Sequence, residues 1–291
     1  MLICSLIAPP GGLSVDMAGN LFSAWGGREL TWLHPLEAAE FEIAAMPENR
    51  WQVWRDLQAM GVDLVIQPKA GRRKKLLLAD MDSTMIQQEC IDELADLAGV
   101  GTQVKGITAK AMNGELDFEQ ALRARVALLE GQPASIINQA LKTRIFFTAG
   151  GAELLATMKA NGAYSALVSG GFTAFTQPVS QHLGFHEHHA NQLLVDYGVV
   201  TGQVSDPILG QQAKVEALER LTAQLSITAQ DVLAVGDGAN DLGMLKRAGS
   251  GVALHAKPSV AAQCDIRINH GDLTALLFLQ GYPRSAFRTA V

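Results

Sequence analysis

Lys74-Lys75-Leu76-Leu77-Leu78-Ala79-Asp80-Met81-Asp82-Ser83-Thr84 is the stretch on which the fold turns. Four apolar residues in a row, with no polar alternation, predict a strand buried on both faces, as in a parallel sheet covered by helices. Two carboxylates follow, two residues apart, and then two hydroxyls. Burying two acids beside each other is unfavourable unless something cationic sits between them. A divalent ion at the carboxyl end of the strand is the simplest candidate.

Downstream of this strand the pattern turns helical. Segments about 90–98 and 102–112 carry helical spacing, and a third helix follows Asp117, whose spacing to Gln120 matches a capping box and which runs to Glu130 before Gly131. An α/β rhythm then returns. Helix Ala152–Ala160 precedes a strand Tyr164–Val168 that ends at Ser169-Gly170-Gly171. A hairpin is expected over Asn191–Val195 and Val199–Val204, a helix over 211–224, and a strand Val232–Val235 ending at Gly236-Asp237-Gly238. Short strands near 251–254 and 265–268 and a helix from Leu273 complete the order. Strands alternating with helices predict an α/β fold, a mostly parallel Rossmann-like sheet with helices on both faces. The helical block after the first strand reads as a cap inserted over the strand ends, at about 87–147.

Upstream, residues 1–72 form a different unit. All four tryptophans (Trp25, Trp32, Trp51, Trp54) fall here, and acids outnumber bases eight to four over the first 70 residues. The apolar start, cut short by Pro9-Pro10 and without a basic flank, reads as a strand rather than a signal peptide. Phe41–Ala45 and Val62–Ile66 read as further strands, and Asn49–Met60 as a helix with Trp51, Trp54 and Leu57 on one stripe. The tryptophans either build a small core or line a ligand site. The expectation is a small α+β domain, joined to a second domain over 73–291.

Bulk properties narrow the function classes. With 23 Lys and Arg against 29 Asp and Glu the formal charge is −6, and no basic stripe offsets it, which disfavours a nucleic-acid surface. No window approaches the about 20 apolar residues of a membrane span. Three widely spaced cysteines (Cys4, Cys90, Cys264) suggest neither a disulfide framework nor a zinc site, and suit the cytoplasm. No glycine turn continues into a P-loop, and none matches the dinucleotide fingerprint. In Phe185-His186-Glu187-His188-His189 the imidazoles are common metal-ligand types, but nothing ties them to the motif strands, and no metal site is expected there.

Open parallel sheets bind ligands at the carboxyl ends of their strands. Those ends carry Asp80 and Asp82, Ser169-Gly170-Gly171, and Gly236-Asp237-Gly238-Ala239-Asn240-Asp241. Asp237 can complete an oxygen-rich magnesium site with the first acids, and the glycines let backbone N–H groups approach an anion. With Lys214 between them, these segments resemble the four ordered motifs of haloacid dehalogenase-type phosphatases. More narrowly, Asp82-Ser83-Thr84-Met85-Ile86-Gln87-Gln88-Glu89-Cys90-Ile91-Asp92-Glu93-Leu94-Ala95 and Phe118-Glu119-Gln120-Ala121-Leu122-Arg123-Ala124-Arg125-Val126 resemble the phosphoserine phosphatases. The likeness covers roughly residues 73 to 285.

The resemblance implies a Mg²⁺-dependent hydrolysis of O-phosphoserine, the last step of serine biosynthesis. Asp80 is then the nucleophile and Asp82 the general acid and base. Asp80, the backbone carbonyl of Asp82, and Asp237 hold the metal. Ser169 and Gly170 bind the phosphoryl group, and Lys214 pairs with it and with Asp80. Asn240 contacts phosphate or the metal shell, while Asp241 orients Lys214 or a metal-bound water. In the cap, Phe118, Leu122, Arg125 and Leu129 share one side of a helix. An arginine in such a stripe either snorkels outward or meets an anion. The family pattern implies that Arg125 grips the substrate carboxylate and Glu89 its ammonium, with Met112 and Phe118 packed against the ligand. Gly106 and Gly114 are candidate points for cap movement. For the N-terminal unit the resemblance allows an ACT-like regulatory role or a homodimer contact, without a ligand motif to support either. Two other readings stay open: the same chemistry on another small phosphomonoester or as phosphoryl transfer between small alcohols, and a catalytically inactive binding or regulatory module.

Overall fold

The computed structural model describes residues 1–112 and 115–289, except the side chain of Met112. Gly114 and the Met112 side chain, both singled out in the sequence, therefore lie outside the described residues.

The first unit runs β1 (Leu2–Ile7), α1 (Val15–Ala24), β2 (Arg28–His34), β3 (Ala38–Ile43), α2 (Arg50–Ala59) and β4 (Asp63–Pro68). Its strands form an antiparallel sheet in the order β2-β3-β1-β4, the ferredoxin-like βαββαβ arrangement. Successive residues of a strand face opposite sides, and β1 uses both. Cys4 and Leu6 enter a small core with Phe41, Ile43 and Leu57, whereas Ile7 joins the main core. Helix α1 and strand β2 have no counterpart in the sequence reading. β2 is an edge strand with mostly exposed or half-exposed residues, so it lacks the apolar alternation that marks a strand.

The main sheet begins with β5 (Leu76–Ala79), all four residues 0% exposed. Leu77 and Ala79 enter one core and Leu76 and Leu78 the other, as expected of a strand covered on both faces. The chain then leaves through the cap helices α3 (Cys90–Leu97), α4 (Gly101–Met112), α5 (Phe118–Ala127) and α6 (Ser135–Thr143). It returns at an isolated antiparallel bridge between Ile86 and Phe147. The capping box at Asp117 and Gln120 is formed in full, but α5 stops at Ala127, short of the expected Glu130.

The α/β rhythm resumes with α7 (Gly151–Ala160), β6 (Tyr164–Phe172), α8 (Thr173–Leu183) and β7 (Glu187–Asn191). A hairpin of β8 (Leu193–Asp196) and β9 (Val199–Val204) follows, then α9 (Gln211–Gln224), β10 (Val232–Gly236), α10 (Leu242–Arg247), β11 (Ser250–Leu254), α11 (Pro258–Ala261), β12 (Ile266–Ile268) and α12 (Ala275–Leu279). The six-stranded sheet has the order β12-β11-β10-β5-β6-β7, and every pairing is parallel. From β5 the chain proceeds first to β6 on one side and later to β10 on the other. The strand order therefore reverses at β5, and the crevice at such a switch point is where open α/β sheets bind ligands. Two details depart from the sequence reading. β6 continues through Ser169-Gly170-Gly171 to Phe172, with a register shift after Val168. The histidine run leads into the edge strand β7, with His188 and His189 in the strand and His186 just before it, its imidazoles engaged by Ser165, Thr176, Glu187 and Arg220.

Candidate active site

The Asp80 N–H donates to the Val235 carbonyl at 3.0 Å, so the β5–β10 ladder runs one residue beyond the strand and fixes the first acid. Asp237 follows β10 directly, and Asp241 sits at the start of α10. One carboxylate oxygen from each of Asp80, Asp237 and Asp241 lies within 4.8 Å of the others, and all three residues are buried. Lys214, in the first turn of α9, is 1% exposed. Its Nζ donates to Asp80 Oδ1 at 2.5 Å and to Asp241 Oδ1 at 2.6 Å. The Gly238 N–H donates to the other oxygen of Asp241 at 2.9 Å.

Asp82 is held from two sides. Its Oδ1 accepts the Cys90 N–H at the N-terminus of α3 (2.8 Å), and its Oδ2 accepts the Ser169 hydroxyl (3.3 Å). Ser169 Oγ in turn accepts the Gly171 N–H at 2.8 Å.

Burial dominates the electrostatics. It pushes the Asp80 carboxyl well up, with Asp241 adding to the rise and Lys214 opposing it. It pushes Asp82 up to about 6, reinforced by Glu89 and opposed by the hydrogen bonds from Cys90 and Ser169. Asp237 is pushed up to about 7 by burial and then by Asp241 and Glu89. For Lys214 burial works toward the neutral amine, but Asp80 and Asp241 outweigh it and hold the ammonium. Three buried acids against one ammonium leave a surplus of negative charge on oxygen ligands, which is the donor set a hard divalent cation selects. The acid cluster therefore fits such an ion. Asp241 belongs to that cluster by position, closer to the metal-ligand set than the sequence reading placed it.

The cap completes a cleft of about 500 Å³, to which Asp80, Asp82, Ser169, Gly170, Asp237 and Asn240 contribute from the sheet and Glu89, Phe118 and Arg125 from the cap. Glu89 receives the Ser83 hydroxyl at 2.8 Å, a contact that depends on Ser83 adopting φ +55°. Arg125 donates through Nε to the Ala121 carbonyl at 3.1 Å. Its terminal nitrogens form no hydrogen bond or ion pair among the described residues. Burial lowers its pKa, opposed by Asp92, Glu89 and Asp82. The Phe118 ring covers the backbone of Gly170 and Gly210. Asp92, Thr108, Gln211 and Lys257 also line the cleft and were not singled out in the sequence. Asp92 stands three residues after Glu89, a helical spacing that places it on the same face.

Residues 77–246 match the haloacid dehalogenase-like hydrolase family. Over 204 residues the chain is 46% identical to the phosphoserine phosphatase of Haemophilus influenzae, a match that spans 70% of this chain and 65% of that relative. A solved HAD family hydrolase from Salmonella enterica serovar Typhi superposes with a TM-score of 0.86 at 30% identity, covering 96% of this chain and 98% of its own. A structure described as a phospho-aspartyl intermediate analogue of phosphoserine phosphatase superposes with a TM-score of 0.66 at 43% identity. That likeness takes in 71% of this chain and 98% of the other.

Proposed function

Because the chain belongs to the haloacid dehalogenase-like hydrolases, we propose that it hydrolyses O-phospho-L-serine to L-serine and phosphate through a phosphorylated Asp80, with Mg²⁺ bound at the acid cluster. The observation that carries this reading is the pairing of Glu89 and Arg125 in the same cleft as Asp80 and Asp82. A cation and an anion beside a phosphoryl site match the carboxylate and ammonium of a phosphorylated amino acid, and match a sugar phosphate poorly.

Asp80 has one oxygen tied to Lys214 and the other free to attack phosphorus in line. Forming the acyl phosphate on a carboxylate divides one difficult displacement into two easier ones. Asp82, held near pH 6, can give its proton to the departing serine oxygen and, once ionised, take one from the water that cleaves the aspartyl-phosphate. Ser169, the Gly170 N–H and Lys214 neutralise the phosphoryl oxygens, the main requirement of this chemistry, and Asn240 supports them. Mg²⁺, held by Asp80, Asp237 and the Asp82 carbonyl, would act as a Lewis acid on a phosphoryl oxygen. Arg125 binds the substrate carboxylate, Glu89 its ammonium, and Phe118 closes the apolar side. In the same reading residues 1–72 and 73–291 are separate domains, with the cap at about 87–147. The enzyme completes serine synthesis in the cytoplasm, where three buried free cysteines stay reduced.

Phosphate release from phosphoserine and phosphoethanolamine tests the assignment, since the second substrate differs in lacking the carboxylate. We expect a preference of about 30-fold or more for phosphoserine in kcat/KM, from loss of a charged partner, and a collapse of that preference in R125A. D80N should release no phosphate above background. Equal turnover of the two substrates by the wild type would leave the chemistry intact and move the substrate to another small phosphomonoester.

A further inference from the structure

The tryptophans singled out in the sequence take no part in the phosphatase cleft. Trp51 and Trp54 meet edge to face on α2, ring centroids 6.0 Å apart. Both line a second cleft of about 570 Å³, between the N-terminal sheet and the parallel sheet. Its volume is in the range of small-molecule sites, and junctions between units are where such sites concentrate. Leu2, Leu64 and Ile66 form an apolar wall, while Lys74, Gln230 and Ser250 come from the beginnings of β5, β10 and β11. Asp80 and Asp237 lie at the opposite ends of β5 and β10. Among the described residues the two clefts share no lining residue.

Charge decides what this cleft accepts. Arg72 is occupied by both oxygens of Glu40, at 2.5 and 2.8 Å. Asp231 is occupied by Lys75 at 3.1 Å and by the Thr228 N–H and hydroxyl. Three lining charges then have no ion pair among the described residues: Arg50, Lys74 and Asp265. Two cations against one acid leave one positive charge. Lys74 is 9% exposed, and its Nζ makes one hydrogen bond, to the Gln230 carbonyl at 2.7 Å. An ammonium carries three donors, so Lys74 is short of acceptors. Burial lowers its pKa, with Asp231 opposing.

The aromatic faces, by contrast, are taken. The Arg267 guanidinium lies 4.4 Å from the Trp51 ring centroid and 5.1 Å from that of Trp54, and Arg50 lies 5.3 Å from Trp51. A cationic ligand finds its natural seats filled and faces arginines. A carboxylate finds unused donors.

We propose that this cleft binds a small monocarboxylate with an apolar body, the carboxylate on Lys74 and the body against Leu2, Leu64 and Ile66. The proposal stands apart from the phosphatase reading and does not depend on it.

The test is calorimetric titration of the full chain with 3-phenylpropionate, set beside its uncharged amide and 2-phenylethylamine, with tryptophan fluorescence as a second readout. Saturable 1:1 binding of the carboxylate is expected, about tenfold tighter than the amide, with none for the amine; tenfold is the effect of one modest charge-assisted contact. K74M should weaken the carboxylate by about tenfold and leave the amide unchanged. Lys74 also braces the Gln230 carbonyl, so R50Q serves as a second variant, since that side chain has no ion pair to lose; a several-fold weakening is expected. The idea is overturned if the carboxylate does not saturate, if amide or amine binds as well, or if R50Q and K74M both bind like the wild type. Should K74M fail to fold, R50Q alone decides.

Discussion

Lys214 and Asp241 form a buried ion pair, Nζ to Oδ1 2.6 Å, in which the carboxylate is 0% and the ammonium 1% exposed. The same ammonium holds Asp80 at 2.5 Å. Asp241 thus fixes the lysine from behind while Asp80 faces the cleft. Removing one partner of a buried pair leaves an uncompensated charge and costs about 3–5 kcal/mol. K214M should therefore lose stability of that order by urea denaturation, and its phosphate release should fall by about 100-fold or more. Adding D241N should restore part of the stability, because one of the two stranded carboxylates is gone while Asp80 stays, and none of the activity. A K214M protein as stable as wild type would sink the account of Lys214 as the charge that makes the buried Asp80 and Asp241 tolerable.

The acids also predict how stability varies with pH when divalent ions are stripped away. Burial pushes Asp82 up to about 6 and Asp237 up to about 7, both above an ordinary unfolded carboxyl. A carboxyl with a raised folded-state pKa binds its proton more tightly folded than unfolded. Its favourable contribution is present at low pH and lost as pH rises through the folded value. In chelator the melting temperature should fall between pH 5 and pH 8. Magnesium should raise it more at pH 8 than at pH 5, because the ionised acids bind the ion. D237N should flatten both trends. Identical pH slopes for wild type and D237N would show that Asp237 does not carry the effect.

Much of this site can be read from Leu76–Thr84, because a strand buried on both faces leaves an uninterrupted apolar run and its end must then carry the polar chemistry. The α5 start was readable for a similar local reason, the Asp117–Gln120 box. Features made by an unusual backbone turn, by polar edge strands or by distant chain segments were not. Glu89 is oriented by Ser83 through a positive φ, and no composition rule announces that turn. Edge strand β2 exposes much of its length, and edge strand β7 is built of polar residues that are half-buried at Glu187, His188 and His189, so neither shows an apolar period. Asp241 read as a support for Lys214, which it is by contact. Its place among three converging acids follows from how β10 and α10 meet β5.

Phe118 and Gly170 give a steric test of the cap. A Cβ on Gly170 would lie 2.9 Å from Phe118 Cζ, and one on Gly210 would lie 3.2 Å from Phe118 Cδ1. The ring rests on two glycines because nothing larger fits beneath it. G170A should displace it and lower kcat/KM for phosphoserine by about tenfold, the effect of losing roughly 1.4 kcal/mol. F118L in the G170A background should recover part of that loss by making room for the methyl. If the double variant is no better than G170A, the loss comes from the Gly170 backbone and not from the ring.

Asp63 supplies the last test, because one side chain joins the two sheets. It begins β4, is 0% exposed, and lies in an apolar run, Val62-Asp63-Leu64-Val65-Ile66. Its Oδ1 accepts the Asn269 N–H at 2.9 Å, and its Oδ2 accepts those of His270 and Gly271 at 3.0 and 2.9 Å. Those three donors follow β12, so a carboxylate of the N-terminal sheet satisfies the turn that ends the parallel sheet's edge strand. Gln58 supports it at 3.2 Å. Deleting the carboxylate strands three N–H groups, one buried and two half-buried, each costing about 1–3 kcal/mol less what water recovers. D63A should therefore lose about 3 kcal/mol or more by denaturation. Limited proteolysis should then cut the connection at 69–73, which stays resistant in wild type while the two sheets are locked. Asparagine keeps the shape but can accept with one oxygen only, so D63N should fall between. A D63A protein with wild-type stability and an uncut connection would mean that the sheets are held by their apolar contacts, Ile7 and Val65 against the main core, and not by this carboxylate.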